Sequence, residues 1–98
     1  MTTAIAAHAL TALLLWTHPS PADVPRLREL TTIAEDIAST DADETEAEVL
    51  VAICIHESRC HLRAVGRDGS IGPWQVRGRC GSCPEIAASL IDPTLPRR

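Results

Sequence analysis

The chain has 98 residues, which allows one small domain and excludes a multi-domain enzyme. A hydrophobic content of 45% and a mean hydropathy of +0.04 are typical of a globular, soluble protein, and the only aromatic residues are Trp16 and Trp74, so an aliphatic core is expected. The net charge is −4, yet acidic residues cluster between positions 36 and 48 while most arginines follow position 58. The second half therefore offers a basic face to a polyanion, either nucleic acid or a cell-wall polymer.

The first segment is apolar over residues 4–16, which is too short to span a bilayer. It is similar to the core of a secretory signal peptide, and the small residues within 20–22 would suit a cleavage point that follows them. Residues 1–22 are therefore predicted to be a signal peptide of a secreted or periplasmic protein, with the domain at 23–98. The alternative is an ordinary first helix, because residues 1–3 carry no Lys or Arg.

Two helices are predicted after this segment. Asp23 can cap the first helix, and Pro25 fits its first turn, where a missing N–H costs nothing. Apolar residues then recur at helical spacing: Leu27, Leu30, Ile33, Ala34 and Ile37. Asp41 and Glu44 stand three apart, as in a capping box, and predict a second helix over 44–58.

The second helix changes character along its length. Residues 49–55 include no polar residue apart from Cys54, so this part is expected to be buried and to form the central helix. Closely spaced glycines then predict a loop; they are Gly66, Gly69 and Gly72. A short third helix is predicted at 85–91, stopped by Pro93. No alternating strand pattern occurs, so the fold class is all-α.

Glu57 lies just beyond the apolar run, at the carboxyl end of the predicted helix. Burial would penalise its anion, and the negative end of the helix dipole would act in the same direction. A carboxylic acid that stays protonated is what general acid catalysis at a glycosidic oxygen requires. The alternative is a solvated carboxylate that is kept ionised by a neighbouring arginine, Arg59, Arg63 or Arg67.

Three short elements occur together around this residue. Glu57-Ser58 ends the apolar helix, Ala64-Val65 begins seven residues past the Glu, and Gly72 to Gln75 forms a Gly-x-x-Gln element about eighteen residues past it. As a combination they resemble the lytic transglycosylase and goose-type lysozyme superfamily, over about residues 49–76.

The resemblance implies a small lysozyme-like helical domain that cleaves the β-1,4-glycosidic bonds of peptidoglycan. Glu57 would be the catalytic acid/base, while Ser58 and Gln75 would contact the glycan strand or hold the acid. Gly72 would allow close approach of the backbone. The implied partner is the peptidoglycan glycan strand, with no cofactor, no metal and no nucleic acid.

The sequence departs from the family in two places. Pro73-Trp74 stands where many members have Leu-Met or a similar pair, in a segment whose side chains mostly serve packing. Family members also continue with further helices and a Tyr-Asn segment that closes the opposite wall of the cleft, whereas this chain has neither Tyr nor Asn. The domain is therefore expected to be C-terminally short, either truncated or completed by a partner.

The number of carboxylates predicts the mechanism. Most glycosidases use two, but the nearest other acid in sequence, Asp68, lies in the Gly-rich turn and is expected to cap it. The family route with one acid fits better: Glu57 acts first as acid and then as base, assisted by the substrate's own acetamido or hydroxyl group. The product is a 1,6-anhydro sugar or, with water, a reducing end.

Four cysteines offer two interpretations. Cys60 and His61 could form a zinc site with Cys80 and Cys83, although adjacent ligands cannot easily face one metal. A disulfide from Cys60 to Cys80 or Cys83 fits a small exported domain better, with Cys54 as a buried thiol. Two alternatives to the enzyme follow: a non-catalytic wall-binding remnant of the same fold, and a zinc-stabilised nucleic-acid-binding module.

Overall fold

The structure is a computed structural model, and it describes residues 2–67 and 69–75. Three helices follow one another: α1 (Thr2–Thr17), α2 (Val24–Ala38) and α3 (Glu44–Ser58). Beyond α3 the described chain is irregular, with one isolated antiparallel bridge between Val65 and Ile71 and no strand. The all-helical class is thus confirmed over these residues. The helix predicted at 85–91 lies outside them.

Helix α1 contains no Asp, Glu, Lys or Arg. Its Ala9 and Leu13 are fully buried in the core, whereas Leu15 and Trp16 near its carboxyl end are largely exposed. The helix packs extensively against both α2 and α3, which contact each other little. Cleavage of residues 1–22 stays a prediction. Among the described residues, no helix has both the length and the apolar character needed to cross a bilayer.

Helix α2 begins as its sequence predicts. Asp23 is the N-cap, and its carboxylate accepts the N–H of Arg26 at 3.1 Å, while Pro25 occupies the first turn. Four of the five predicted apolar positions are buried, whereas Leu27 is only partly buried. With Ala38 added, the buried face consists of Leu30, Ile33, Ala34, Ile37 and Ala38. The cap and the apolar spacing therefore fixed both the start and the buried face of this helix.

Helix α3 has the predicted bounds but a different cap. The capping box is formed by Asp43 and Glu46, not by Asp41 and Glu44. The Asp43 carboxylate accepts the Glu46 N–H at 2.9 Å, and the Glu46 carboxylate accepts the Asp43 N–H at 3.3 Å. The N-cap must directly precede the first helical residue, which is Glu44. Asp41 instead lies in the connection between the helices. There the Thr40 hydroxyl donates to the Ile37 carbonyl and accepts the N–H of Ala42.

The prediction that α3 is the central helix, buried all round, is wrong for the described part of the chain. Only one side of α3 is buried, and Ala52 within the apolar run is exposed. The middle position belongs to α1, which contacts both other helices. An apolar run of seven residues covers only about two turns, and such a run does not distinguish one buried face from complete burial.

The core extends beyond the helices into the segment after α3. Trp74 is 4% exposed and packs in the same cluster as Leu50, Val51 and the fully buried Cys60. Its indole Nε1–H donates to the carbonyl of Leu50 at 2.9 Å, so the polar atom is satisfied. The expected aliphatic core therefore includes one tryptophan, and that tryptophan fixes residues 72–75 against α3.

Candidate functional site

The candidate site is built on the carboxyl end of α3, where the chain turns back on the helix. Arg59 and Cys60 both adopt left-handed backbone conformations, with φ of 54° and 59°. Their N–H groups donate to the carbonyls of Ile55 and Cys54, each at 3.0 Å. For residues other than glycine this conformation costs about 1–2 kcal/mol each, so other contacts must hold the turn.

A disulfide is one of these contacts. It joins Cys54 to Cys60, whose Cα atoms are 4.9 Å apart, and both residues are fully buried. The predicted pairing of Cys60 with Cys80 or Cys83, and the free thiol at Cys54, are therefore wrong. The left-handed turn brings Cys60 back over the last turn of α3, and without a glycine at 59 or 60 the sequence does not signal that turn. Cys80 and Cys83 lie outside the described residues.

The disulfide also bears on the zinc alternative. That hypothesis needs Cys60 as a thiolate ligand, and the sulfur is committed to Cys54 instead. Within residues 2–67 and 69–75, no group of three or more His, Cys, Asp or Glu residues is arranged to hold a metal ion. The disulfide therefore removes one of the four ligands that the zinc-stabilised module requires.

Ser58 joins the end of α3 to the segment that begins at Gly72. Its Oγ lies 2.7 Å from the carbonyl of Pro73 and 3.2 Å from that of Cys54, and it accepts the N–H of His61 at 3.2 Å. A hydroxyl has a single proton, and the shorter distance assigns it to Pro73. Ser58 therefore connects two parts of the proposed motif that are 15 residues apart in sequence.

We expect Ser58→Ala to lower the free energy of unfolding by about 1–2 kcal/mol, because the Pro73 carbonyl loses its donor and the His61 N–H its acceptor in a partly buried place. Urea denaturation followed by circular dichroism measures the change. The matched control is Ser20→Ala, where the hydroxyl only accepts the N–H of Ala22 in an exposed turn. Equal effects at the two positions would contradict the bridging role.

The segment from Gly72 to Gln75, called here the Gly72–Gln75 loop, is held by its own hydrogen bonds. The N–H of Gly72 donates to the carbonyl of Ala64 at 2.8 Å, and the Gln75 side-chain amide donates to Gly72 and Ala64 at 3.0 and 3.2 Å. Gly72 has a φ of 84°, which only glycine adopts without cost. Ser58, Gly72 and Gln75 thus belong to one hydrogen-bonded unit, and the Gln75 amide serves to shape the loop.

Glu57 lies beside this unit in the last turn of α3, and its side chain is exposed. The burial expected from the apolar run is absent. Its carboxylate makes no hydrogen bond or ion pair within the described part of the chain, so the alternative, a pairing with Arg59, Arg63 or Arg67, is absent there as well. The Glu57 carboxylate is therefore exposed to solvent, with no bonding partner among the described residues, next to the hydrogen bond between Ser58 and Pro73.

Glu57 is not among the residues that line either of two surface grooves formed by described residues. One, of about 620 Å³, lies between the start of α2 and the residues after the α3 turn. The other, of about 440 Å³, lies beside the α1–α2 connection at Pro19 and Pro21. Asp68, the other acid nearest to Glu57 in sequence, lies outside the described residues.

Two residues on α2, Arg26 and Glu29, bond to the turn that follows α3, and the sequence pattern does not predict this. The Arg26 guanidinium donates to the carbonyls of Cys60 at 2.6 Å and Arg59 at 2.8 Å, and it pairs with the Glu29 carboxylate at 2.6 Å. Glu29 in turn accepts the N–H of Leu62 at 2.8 Å. Spacing of i, i+3 predicts that Arg26 and Glu29 can meet, but nothing local predicts bonds to residues more than thirty positions away.

Burial of the Glu29 carboxyl acts to raise its pKa, but the Leu62 N–H and the Arg26 guanidinium, with His61 adding to them, together hold the pKa below its ordinary value of 4.5. The ionised form therefore stabilises the fold above pH 4.5, and this contribution is lost as the pH falls through the lower folded value.

We expect Glu29→Gln to cost more stability at about pH 6 than at about pH 3, because the wild type loses this contribution on acidification while the amide never has it. Denaturant titrations at the two pH values measure the difference. Glu35→Gln, an exposed position on the same helix, is the control. A cost that does not change with pH would contradict the assignment.

Comparison with known proteins adds no relative: no family model matches the chain, and neither a curated protein nor a solved structure is significantly similar to it.

Proposed function

We propose that this protein cleaves the β-1,4-glycosidic bonds of peptidoglycan as a lysozyme-like or lytic transglycosylase domain, with Glu57 as its single acid/base. The observation that carries the proposal is the 2.7 Å hydrogen bond from Ser58 to the Pro73 carbonyl. It brings the Glu-Ser pair and the Gly-x-x-Gln element together, although they are well separated in sequence. An accidental match of two motifs would give no reason for them to meet.

The exposed Glu57 carboxyl is suited to act on a long polymer. A glycan strand lying across the end of α3 would exclude water from the carboxyl group and so favour the neutral acid. That acid would give its proton to the glycosidic oxygen as the bond from the anomeric carbon to that oxygen breaks. Ser58 and Gln75, which are both partly exposed, would form the adjoining surface, while the buried Gly72 shapes the loop beneath it.

The second step needs no second carboxylate. The substrate's acetamido oxygen would bond to the anomeric carbon as the glycosidic bond breaks, and the 6-hydroxyl or a water molecule would then displace it; without this intermediate, the 6-hydroxyl would attack the anomeric carbon directly. The Glu57 carboxylate would then take a proton from the attacking 6-hydroxyl, which gives a 1,6-anhydro sugar, or from water, which gives a reducing end. Either route returns Glu57 to its protonated form.

The Cys54–Cys60 disulfide supports a location outside the cytoplasm. Disulfides persist mainly in oxidising compartments, and peptidoglycan lies there too. We therefore propose a secreted or periplasmic protein of the cell envelope whose partner is the glycan strand and which needs no cofactor.

A second candidate function is a wall-binding domain of the same fold without turnover. The observation in its favour is that the Glu57 side chain is exposed at the end of α3. In that case the surface around Ser58 would bind glycan strands but would not surround the acid.

Incubation of purified peptidoglycan with the full chain distinguishes the two candidates. The enzyme would reduce the turbidity of the suspension and release soluble muropeptides, and mass spectrometry of their ends would assign the anhydro or reducing product. A protein that sediments with peptidoglycan but releases nothing would be the binding domain. One that neither sediments nor cleaves would contradict both.

A further inference from the structure

We infer that Arg26 and Glu29, together called here the Arg26–Glu29 clamp, are positioning residues for Glu57 and Ser58, an inference that rests on the proposed function. Both residues are far from Glu57 and Ser58 in sequence. Both lie on the first two turns of α2, and they hold the backbone that immediately follows α3.

The clamp binds three backbone groups of that turn, which belong to Arg59, Cys60 and Leu62. One guanidinium nitrogen, Nη1, donates both to Glu29 and to the carbonyl of Cys60, and Nη2 donates to the carbonyl of Arg59. Glu29 uses its second oxygen to accept the N–H of Leu62. The side chains of Arg26 and Glu29 are only 16% and 23% exposed, so these bonds form where competition from water is reduced.

The turn needs such support because Arg59 and Cys60 are both left-handed. The disulfide ties Cys60 to α3 but does not tie the turn to α2. Direct packing between α2 and α3 is slight in the described structure. The clamp therefore supplies a connection that the helix packing does not, and it sets the direction in which the chain leaves α3.

The effect reaches the site through His61 and Ser58. His61 follows the clamped carbonyls, and its N–H donates to the Ser58 Oγ, which directs the Ser58 proton to Pro73. A shift of the turn would move this N–H and allow the Ser58 hydroxyl to turn from the Pro73 carbonyl towards that of Cys54, although Trp74 still holds the loop against α3. Glu57, one residue before Ser58, would then be displaced relative to the surface against which a glycan strand is placed.

The geometry requires a guanidinium rather than a positive charge alone. Two nitrogens in one plane reach two carbonyls and a carboxylate at the same time, which the single ammonium of lysine cannot do. Arg26→Lys is therefore expected to behave like Arg26→Met. Arg28, exposed on the same helix, provides the matched control as Arg28→Lys and Arg28→Met.

The test combines kinetics with amide hydrogen exchange on the full chain. With solubilised glycan strands as substrate, both Arg26 variants are expected to lower kcat by about 10- to 100-fold, because a small displacement of a positioned acid has effects of that size, with a smaller change in KM. Exchange of the Leu62 amide should become faster in both, while the Arg28 variants keep wild-type kinetics and exchange. If Arg26→Met fails to fold, the isosteric Glu29→Gln replaces it.

The outcomes separate the inference from the function on which it rests. Wild-type kcat in Arg26→Lys or Arg26→Met would overturn the positioning role even if peptidoglycan is cleaved. Unchanged Leu62 exchange in those variants would overturn the clamp itself, whether or not the wild type is active. A wild type that releases no product would overturn the proposed function, and the catalytic part of the inference with it.

Discussion

Replacing Glu57 with glutamine is expected to reduce glycan cleavage by about 10²- to 10⁴-fold, the usual contribution of a general acid/base. The amide has nearly the same shape, but it cannot give a proton to the glycosidic oxygen or take one from the attacking hydroxyl. Because Glu57 is exposed and its carboxylate has no partner among the described residues, the free energy of unfolding should change by less than about 0.5 kcal/mol. Release of soluble muropeptides, with a denaturation curve for each variant, measures both effects.

Glu44→Gln is the control for this substitution. Glu44 is an exposed glutamate on the same helix but at its opposite end, in the first turn. It should retain wild-type turnover. Sedimentation with peptidoglycan should be kept in both variants, since the amide can still form hydrogen bonds with sugar hydroxyls. If Glu57→Gln retains wild-type turnover, Glu57 is not the acid and the proposed mechanism fails.

The helices could be predicted because their signals are local. Asp23 and Pro25 mark the start of α2 within a few residues of the chain, and the apolar spacing that follows repeats every turn. The capping box was assigned to the wrong pair because acidic residues three apart occur twice in one short stretch, at 41 and 44 and at 43 and 46. The exact start of the helix distinguishes these two pairs. That start depends on how Thr40 closes the preceding turn.

The candidate site was less predictable because it depends on a turn with no sequence signal. Glu57 and Ser58 are the positions three and four past the buried Cys54, so helical spacing alone allows either to face the core. The chain after α3 folds over the Ser58 side, which leaves Glu57 exposed. That direction is set by left-handed residues that are not glycine and by bonds from a distant helix.

The second large effect is expected at Trp74, where substitution by alanine should lower the free energy of unfolding by about 3–5 kcal/mol. The side chain is 4% exposed within the core, so its removal leaves a cavity beside Leu50 and the Leu50 carbonyl loses the indole donor. Domains are stable by about 5–15 kcal/mol in total, so this loss is a large fraction of the whole. Urea denaturation followed by far-ultraviolet circular dichroism is the appropriate measurement, because tryptophan fluorescence changes with the substitution itself.

The chain contains its own control for this experiment. Trp16 is the other tryptophan and is 65% exposed at the end of α1, so Trp16→Ala should change stability by less than about 1 kcal/mol. Trp74→Phe should fall between the two, because it keeps a large part of the apolar contact but loses the volume of the second ring and the hydrogen bond. Trp74 stands between Pro73, which accepts from Ser58, and Gln75, which closes the loop. Its anchoring therefore holds both sides of the motif against α3, and equal effects of alanine at Trp74 and Trp16 would show that the loop is not held there.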